Sequence, residues 1–94
     1  MQRLEKLMSI SRSEFEQSWP AFDGMPPPAP GSPACLALGS GHVEIAYEPR
    51  PAVRLGGLLE LPRAAVTFVF DRVEEADRAK IIDRFDRAFQ RGGG

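Results

Sequence analysis

The spacing of apolar residues changes from a helical period to a strand period and back, and this change restricts the folds open to the chain. Phe15, Trp19 and Phe22 follow the i, i+4, i+7 spacing of one helix face. From residue 35 to residue 70, apolar residues alternate with polar ones, as in strands that bury one face. Helical spacing returns from residue 79. The pattern predicts a two-layer α+β fold with an N-terminal and a C-terminal helix on one face of an antiparallel sheet.

The N-terminal helix carries a start signal and a stop signal. Ser11 and Glu14 form the S-x-x-E pattern of a capping box. Pro20 lacks the N–H that a helix interior needs, so we predict that the helix ends near Trp19. The preceding residues also include apolar side chains at helical spacing, Leu4, Leu7 and Met8. We therefore assign all of residues 1–22 to an N-terminal helical segment.

A proline-rich segment separates this helix from the alternating region. Residues 23–34 contain five prolines, which exclude a helix and a central strand. We predict a semi-rigid, extended linker. Its PxxP spacing occurs in ligands of aromatic grooves, but no basic residue flanks it, so a plain linker is the favoured interpretation.

Residues 35–71 predict an antiparallel β-meander of three to four strands. We place turns where Gly or Pro interrupts the alternation: residues 39–41, 49–51 and 62–63. With Glu48 opposite Arg54, the large apolar residues share one face, which we expect both helices to cover. These residues are Val43, Ile45, Tyr47, Leu55, Leu59, Val66, Phe68 and Phe70.

Residues 72–91 predict the C-terminal amphipathic helix, with Asp71 as its N-cap and a glycine tail, residues 92–94, after it. Its apolar stripe is Ala79, Ile81, Ile82, Phe85, Ala88 and Phe89. A length of 94 residues suits a single domain.

The final segment, Arg91-Gly92-Gly93-Gly94, resembles the diglycine tail of ubiquitin-like sulfur carriers, over these residues alone. The resemblance implies a carrier protein that is activated at its C-terminal carboxylate, with glycines that thread a narrow active site. That family reaches its tail through a strand, whereas a helix is predicted up to Arg91 here. The other interpretation is a helix C-cap, a conformation that glycine readily adopts.

Charge and composition restrict the classes of partner. The formal net charge is −1, so no global basic field attracts nucleic acid, and a nucleic-acid partner is disfavoured. The longest apolar run, Ala64 to Phe70, is too short to cross a bilayer, and we expect no membrane contact. The single cysteine, Cys35, cannot form a disulfide within the chain, which suits a reducing compartment, and we expect a cytoplasmic protein.

One cysteine and one histidine leave few routes to catalysis or metal binding. His42, Glu44 and Glu60 share the polar face of the predicted sheet, where a surface histidine beside a carboxylate is favoured over a weak metal site. To act as a nucleophile, Cys35 would need His42 as its base. We expect Cys35 to be a small buried hydrophobic residue instead. We therefore predict no catalytic residue, no metal and no cofactor, and favour a protein that is not an enzyme.

No motif in the sequence assigns a function. Our leading hypothesis is a small non-enzymatic protein-binding or assembly module that uses the polar sheet face or an edge strand. The expected partner is another protein or a second copy of the chain. Two alternatives remain: anion or nucleic-acid binding through Arg50 and Arg54, and a carrier used through its glycine tail. The candidate binding residues are His42, Glu44, Arg50, Arg54 and Glu60.

Overall fold

A computed structural model describes residues 2–89 as four strands and two helices. In chain order these are β1 (Gln2–Met8), α1 (Arg12–Phe22), β2 (Ala34–Leu38), β3 (Gly41–Leu55), β4 (Leu59–Asp71) and α2 (Glu75–Phe89). The strands form one open antiparallel sheet in the order β1-β4-β3-β2. The predicted α+β class is confirmed.

Both helices pack on the same face of the sheet, and aromatic rings form the contact. The ring centroid of Phe15 in α1 lies 4.7 Å from that of Tyr47 in β3 and 5.1 Å from that of Phe89 in α2. Phe85 of α2 meets Phe68 of β4 edge-on at 5.0 Å. Each such pair adds about 0.5–1.5 kcal/mol to the burial of apolar area. The rings therefore join both helices and both central strands in one core.

The helical prediction for residues 1–22 is wrong over its first part, because residues 2–8 form strand β1. This strand pairs with β4 from Gln2 opposite Phe70 to Met8 opposite Ala64. A helix this short is marginal in water. As a strand, the same residues form backbone hydrogen bonds with β4 and cover an edge of β4 that would otherwise be exposed.

α1 begins at the predicted cap but continues past Pro20. Ser11 Oγ accepts from the Glu14 N–H at 3.1 Å, and Glu14 Oε1 accepts from the Ser11 N–H at 3.0 Å, so the capping box is confirmed. The helix ends at Phe22 rather than near Trp19. A proline removes one backbone donor, but the helix can continue where packing holds the following turn, and Phe22 is buried in the core.

The proline-rich linker lies against α1. Trp19 Nε1 donates to the Met25 carbonyl at 2.7 Å, and Arg12 Nη1 donates to the Pro28 carbonyl at 2.6 Å. Pro28 is fully buried. Two side chains of α1 therefore hold the linker that leads into β2.

α2 begins at Glu75, and the predicted cap, Asp71, is instead the last residue of β4. The Glu74 carbonyl accepts the N–H of Arg78 at 2.9 Å, which places Glu74 at the start of the helix. The difference arises because Asp71 still pairs with His42 of β3, so the chain leaves the sheet only after Asp71 and the helix begins later. The predicted apolar stripe is buried at Ile81, Phe85 and Phe89, half-buried at Ile82 and Ala88, and exposed at Ala79.

β3 and β4 form one long hairpin, so the turns predicted at the prolines are wrong. The hairpin turn spans residues 56–58, and its two glycines, Gly56 and Gly57, have φ of 65° and 77°. β2 pairs with β3 no further than Ile45, and β1 pairs with β4 no further than Ala64. The hairpin's prolines therefore lie where a strand has one free edge, and there the missing N–H is tolerated. They are Pro49, Pro51 and Pro62.

The longer hairpin also changes the register. Arg54 lies opposite Glu60 rather than Glu48. Leu55 and Leu59, predicted in the core, are 47% and 53% exposed. The other residues of the predicted apolar face are buried under the helices, as expected: Val43, Ile45, Tyr47, Val66, Phe68 and Phe70.

Candidate functional site

The sheet face turned away from the helices has no helix over it, and we call it the open face. Strand alternation places every second residue here, opposite the core positions Val66, Phe68 and Phe70. Its central members are His42, Glu44, Ala46, Glu48 and Arg50 of β3, and Arg63, Ala65, Thr67, Val69 and Asp71 of β4. Its outer members are Cys35 and Ala37 of β2, and Arg3, Glu5 and Leu7 of β1.

The predicted grouping of His42, Glu44 and Glu60 does not form. His42 lies opposite Asp71, with 3.9 Å between His42 Nδ1 and Asp71 Oδ2. Glu44 lies near this end of the open face, whereas Glu60 lies beyond the other end, close to the hairpin turn. Within residues 2–89, no three His, Cys, Asp or Glu side chains come together as a metal site requires.

The neighbour of Arg50 is Arg63, not Arg54. Arg50 and Arg63 are directly opposite on β3 and β4, although the predicted register put Arg63 at the far end of the sheet. Arg50 Nη2 reaches across β4 to Glu5 Oε2 at 3.5 Å, and Arg54 pairs with Glu60 at 3.2 Å. The buried Nε of Arg63 has no hydrogen-bond partner among the described residues. Like charges directly opposite each other destabilise a sheet, so a further carboxylate beside this pair would stabilise it.

Cys35 is exposed, so its prediction as a buried hydrophobe is wrong. It lies opposite Glu44, while His42 lies opposite Ala37. Cys35 and His42 are thus diagonal neighbours on the open face, with backbones about 7–8 Å apart. No hydrogen bond joins the two side chains in the part of the chain that is described.

Residues 51–62, the end of the long hairpin, extend beyond the sheet, and we call them the arm. Neither outer strand pairs with the arm, and the molecule measures 49 Å along its longest axis against 26 Å and 22 Å. Every arm residue is exposed except Val53 and Leu61, which are half-buried. Leu58, in the turn itself, is fully exposed. A two-stranded hairpin is only marginally stable alone in water, so this one presents apolar surface with little support.

The arm has one apolar face, and this face continues the open face. Leu55 lies opposite Leu59, and Val53 lies opposite Leu61, so the four side chains share one side, away from Arg54 and Glu60. The bulge after Arg50 adds its extra residue to β3, so β4 keeps its alternation. Leu59 and Leu61 therefore lie on the same side of β4 as Arg63 and Ala65.

A cleft of about 650 Å³ lies on the other side of the sheet, between β1 and α2. Its apolar lining includes Leu4, Phe70 and Ile82. The Lys6–Asp86 ion pair, 3.0 Å long, joins the two elements beside it. None of the five predicted binding residues lines this cleft.

Known proteins provide no relative from which a function could be transferred. No family model matches the sequence, no curated protein matches it, and no solved structure matches the fold. Within residues 2–89, no helix combines the length and the apolar character needed to cross a bilayer. The glycine tail lies outside the described residues, so the carrier hypothesis stays a prediction.

Proposed function

We propose that the protein is a small non-enzymatic assembly module that binds another protein chain through its arm. The observation that carries this proposal is the exposure of apolar side chains along residues 51–62, from Leu55 to the fully exposed Leu58. Contiguous exposed apolar surface is typical of sites of protein–protein contact.

The energetics favour the arm as the anchor of an interface. Burying a leucine that was exposed stabilises a complex by about 1.5–3 kcal/mol. Leu55, Leu58 and Leu59 together offer the central apolar contact on which binding energy usually concentrates. The charged residues of the open face, beside the arm, would form the polar rim.

The proposal predicts a contact at Leu58 that photo-crosslinking can detect. With a photo-reactive amino acid in place of Leu58, irradiation of the full chain at cellular concentration should give one dominant protein adduct, because the side chain leaves water on binding. The same amino acid at Gln17, exposed on α1, is the matched control and should give none. Equal adduct yields at the two positions would refute the arm as the binding element.

Anion binding is the second candidate, and the position of Arg50 directly opposite Arg63 supports it, because an anion beside two facing like charges relieves their repulsion. The site would use Arg50 and Arg63, since Arg54 is paired with Glu60 on the arm. Calorimetric titration with inorganic phosphate at low salt tests it: heat of binding should appear and be lost in Arg63→Gln. Absence of heat in the unmodified chain would remove this candidate, as no salt-dependent contact would exist.

A further inference from the structure

We propose that β1 pairs with β1 of a second copy of this chain, so that the two sheets join edge to edge in one continuous antiparallel sheet. This contact lies apart from the arm and goes beyond the function proposed for the arm. Three features carry the inference: the free edge of β1, the order of charges along it, and the matching order of charges along α2.

The outer edge of β1 has backbone groups that no strand of its own chain pairs with. In the order β1-β4-β3-β2, β1 lies at one end of the sheet, and among the described residues its backbone is hydrogen-bonded only to β4. Such an edge is a template for another strand. The opposite edge strand, β2, has no charged side chain that could specify a register, whereas β1 has three: Arg3, Glu5 and Lys6.

Two-fold symmetry permits few registers for two copies of β1. Only alternate residues direct their backbone groups outward, so the axis passes through a residue, which then lies opposite its own copy. An axis at Arg3, Glu5 or Lys6 would place like charges directly opposite, which destabilises a sheet. An axis at Leu4 places each Arg3 opposite the partner's Glu5. Axes nearer the ends of β1 pair fewer residues, so charge selects the axis at Leu4.

The same axis passes close to Ile82 of α2. Gln2 lines a second, smaller cleft with the residues that precede α2, and Lys6 pairs with Asp86 at 3.0 Å, so β1 and α2 run in the same direction. Leu4 lies about 6.8 Å before Lys6 along the strand, and Ile82 lies about 6 Å before Asp86 along the helix. Leu4 and Ile82 therefore lie at the same level, and both line the 650 Å³ cleft.

Charges on α2 are complementary about this axis as well. In the dimer, the two copies of α2 run antiparallel on the same face of the joined sheet. Arg78 and Asp86 are equally far from Ile82 on opposite sides, so each Arg78 lies at the level of the partner's Asp86. Within the described part of one chain, Arg78 makes no ion pair. Asp83 lies near the axis, and Arg87 of its own helix neutralises it at 3.0 Å.

Strand pairing also covers the open side of the cleft. Leu4 is 39% exposed and Ile82 is half-buried. A second β1 places the partner's Leu4 beside them, with the charged pairs on either side of this apolar centre. An apolar centre with a polar rim is the usual anatomy of a protein interface.

The dimer leaves both arms free. The arm extends past the Met8 end of β1, and antiparallel pairing directs the two arms in opposite directions. The dimer would therefore present two copies of the arm, which strengthens binding to any partner that engages both.

Cross-linking through an introduced cysteine tests the register. In a Cys35→Ser background, Leu4→Cys places two thiols on the axis, with backbones about 4.5–5.5 Å apart, within the range for disulfides. With oxidised glutathione, most of this variant should become covalent dimer. Leu7→Cys, on the same strand and 59% exposed as leucine, is the matched control. Its two copies would lie about 20 Å apart and should not cross-link.

Charge reversal with complementation tests the contact in solution. Sedimentation velocity of the full chain should show a dimer, and Arg3→Glu and Glu5→Arg should each raise its dissociation constant at least roughly tenfold through like-charge contacts. An equimolar mixture of the two variants should recover dimer, because opposite charges then face each other at both positions. Arg54→Glu makes the same change of charge on the arm and should leave the dissociation constant unchanged.

Urea unfolding verifies that the variants fold, since Glu5→Arg also removes the 3.5 Å contact with Arg50. A chain that stays monomeric at every concentration, equal cross-linking at positions 4 and 7, or a dimer that ignores both reversals would overturn the inference. Photo-crosslinking at Leu58 reports on the arm alone, so failure of the dimer and failure of the proposed function are distinguished.

Discussion

Trp19→Ala is expected to lower the free energy of unfolding by about 3–5 kcal/mol, enough to unfold much of a small domain whose total stability is of order 5–10 kcal/mol. Trp19 is fully buried, with ring centroids of Phe15 and Phe22 at 5.7 Å and 5.0 Å. Its Nε1 also donates to Met25, so the substitution removes core volume and releases the linker together. Because Trp19 is the one tryptophan of the chain, urea unfolding should be followed by far-ultraviolet circular dichroism.

Trp19→Phe separates the two contributions. Phenylalanine keeps a ring in the core but cannot donate to the Met25 carbonyl, so a loss of only about 1–2 kcal/mol is expected. The released linker should then be cut faster by protease within residues 23–34, at a small loss of overall stability. Equal losses in the alanine and phenylalanine variants would show that the ring contributes little, contrary to its burial.

The sequence alone predicted the elements whose signals are local. The capping box of Ser11 and Glu14 depends only on residues three apart, and it forms as predicted. Val43, Ile45 and Tyr47 are buried on one face of β3, as predicted, although the predicted register with β4 is wrong. Alternation of side chains along a strand does not depend on which strand it pairs with. Local pattern therefore established the class of the fold and most of its core.

The turn of the β3–β4 hairpin was predicted at the wrong place for a physical reason. Prolines at 49, 51 and 62 were interpreted as turns, because a proline in a central strand removes a ladder hydrogen bond. Whether a strand segment has a free edge depends on how far its neighbours extend, and that is a property of the assembled sheet. Gly56-Gly57 between apolar runs, which the predicted register places within a strand, is the pattern typical of a tight hairpin turn.

The position of the hairpin turn also decides which residues meet in the candidate site. Moving the hairpin turn from Pro49–Pro51 to Gly56-Gly57 changes the partner of every charged residue on β3 and β4. Arg50 gains Arg63 as its neighbour, and Arg54 and Glu60 move out onto the arm. The leucines beside the turn move from the predicted core to the surface. The one error in register therefore conceals both the facing pair Arg50 and Arg63 and the arm, on which the two proposed functions rest.

Gly41→Ala should destabilise the fold by about 3 kcal/mol or more, the upper end of the range for overpacked sites. A Cβ at Gly41 would overlap the backbone carbonyl oxygens of Asp71 and Arg72. Backbone there has little freedom to move, because Arg72 already holds a φ of 56°, in the left-handed region that disfavours side chains. The close approach of β3 to the end of β4 therefore requires glycine at position 41.

Gly24→Ala is the matched control, because no atom lies within 4 Å of the added Cβ and its φ is not positive. Its free energy of unfolding should be unchanged or rise by up to about 1 kcal/mol, through loss of freedom in the unfolded chain. Urea midpoints of the two variants measure the difference. If Gly41→Ala had the same urea midpoint as Gly24→Ala, the close approach of Gly41 to the carbonyl oxygen of Asp71 would be refuted.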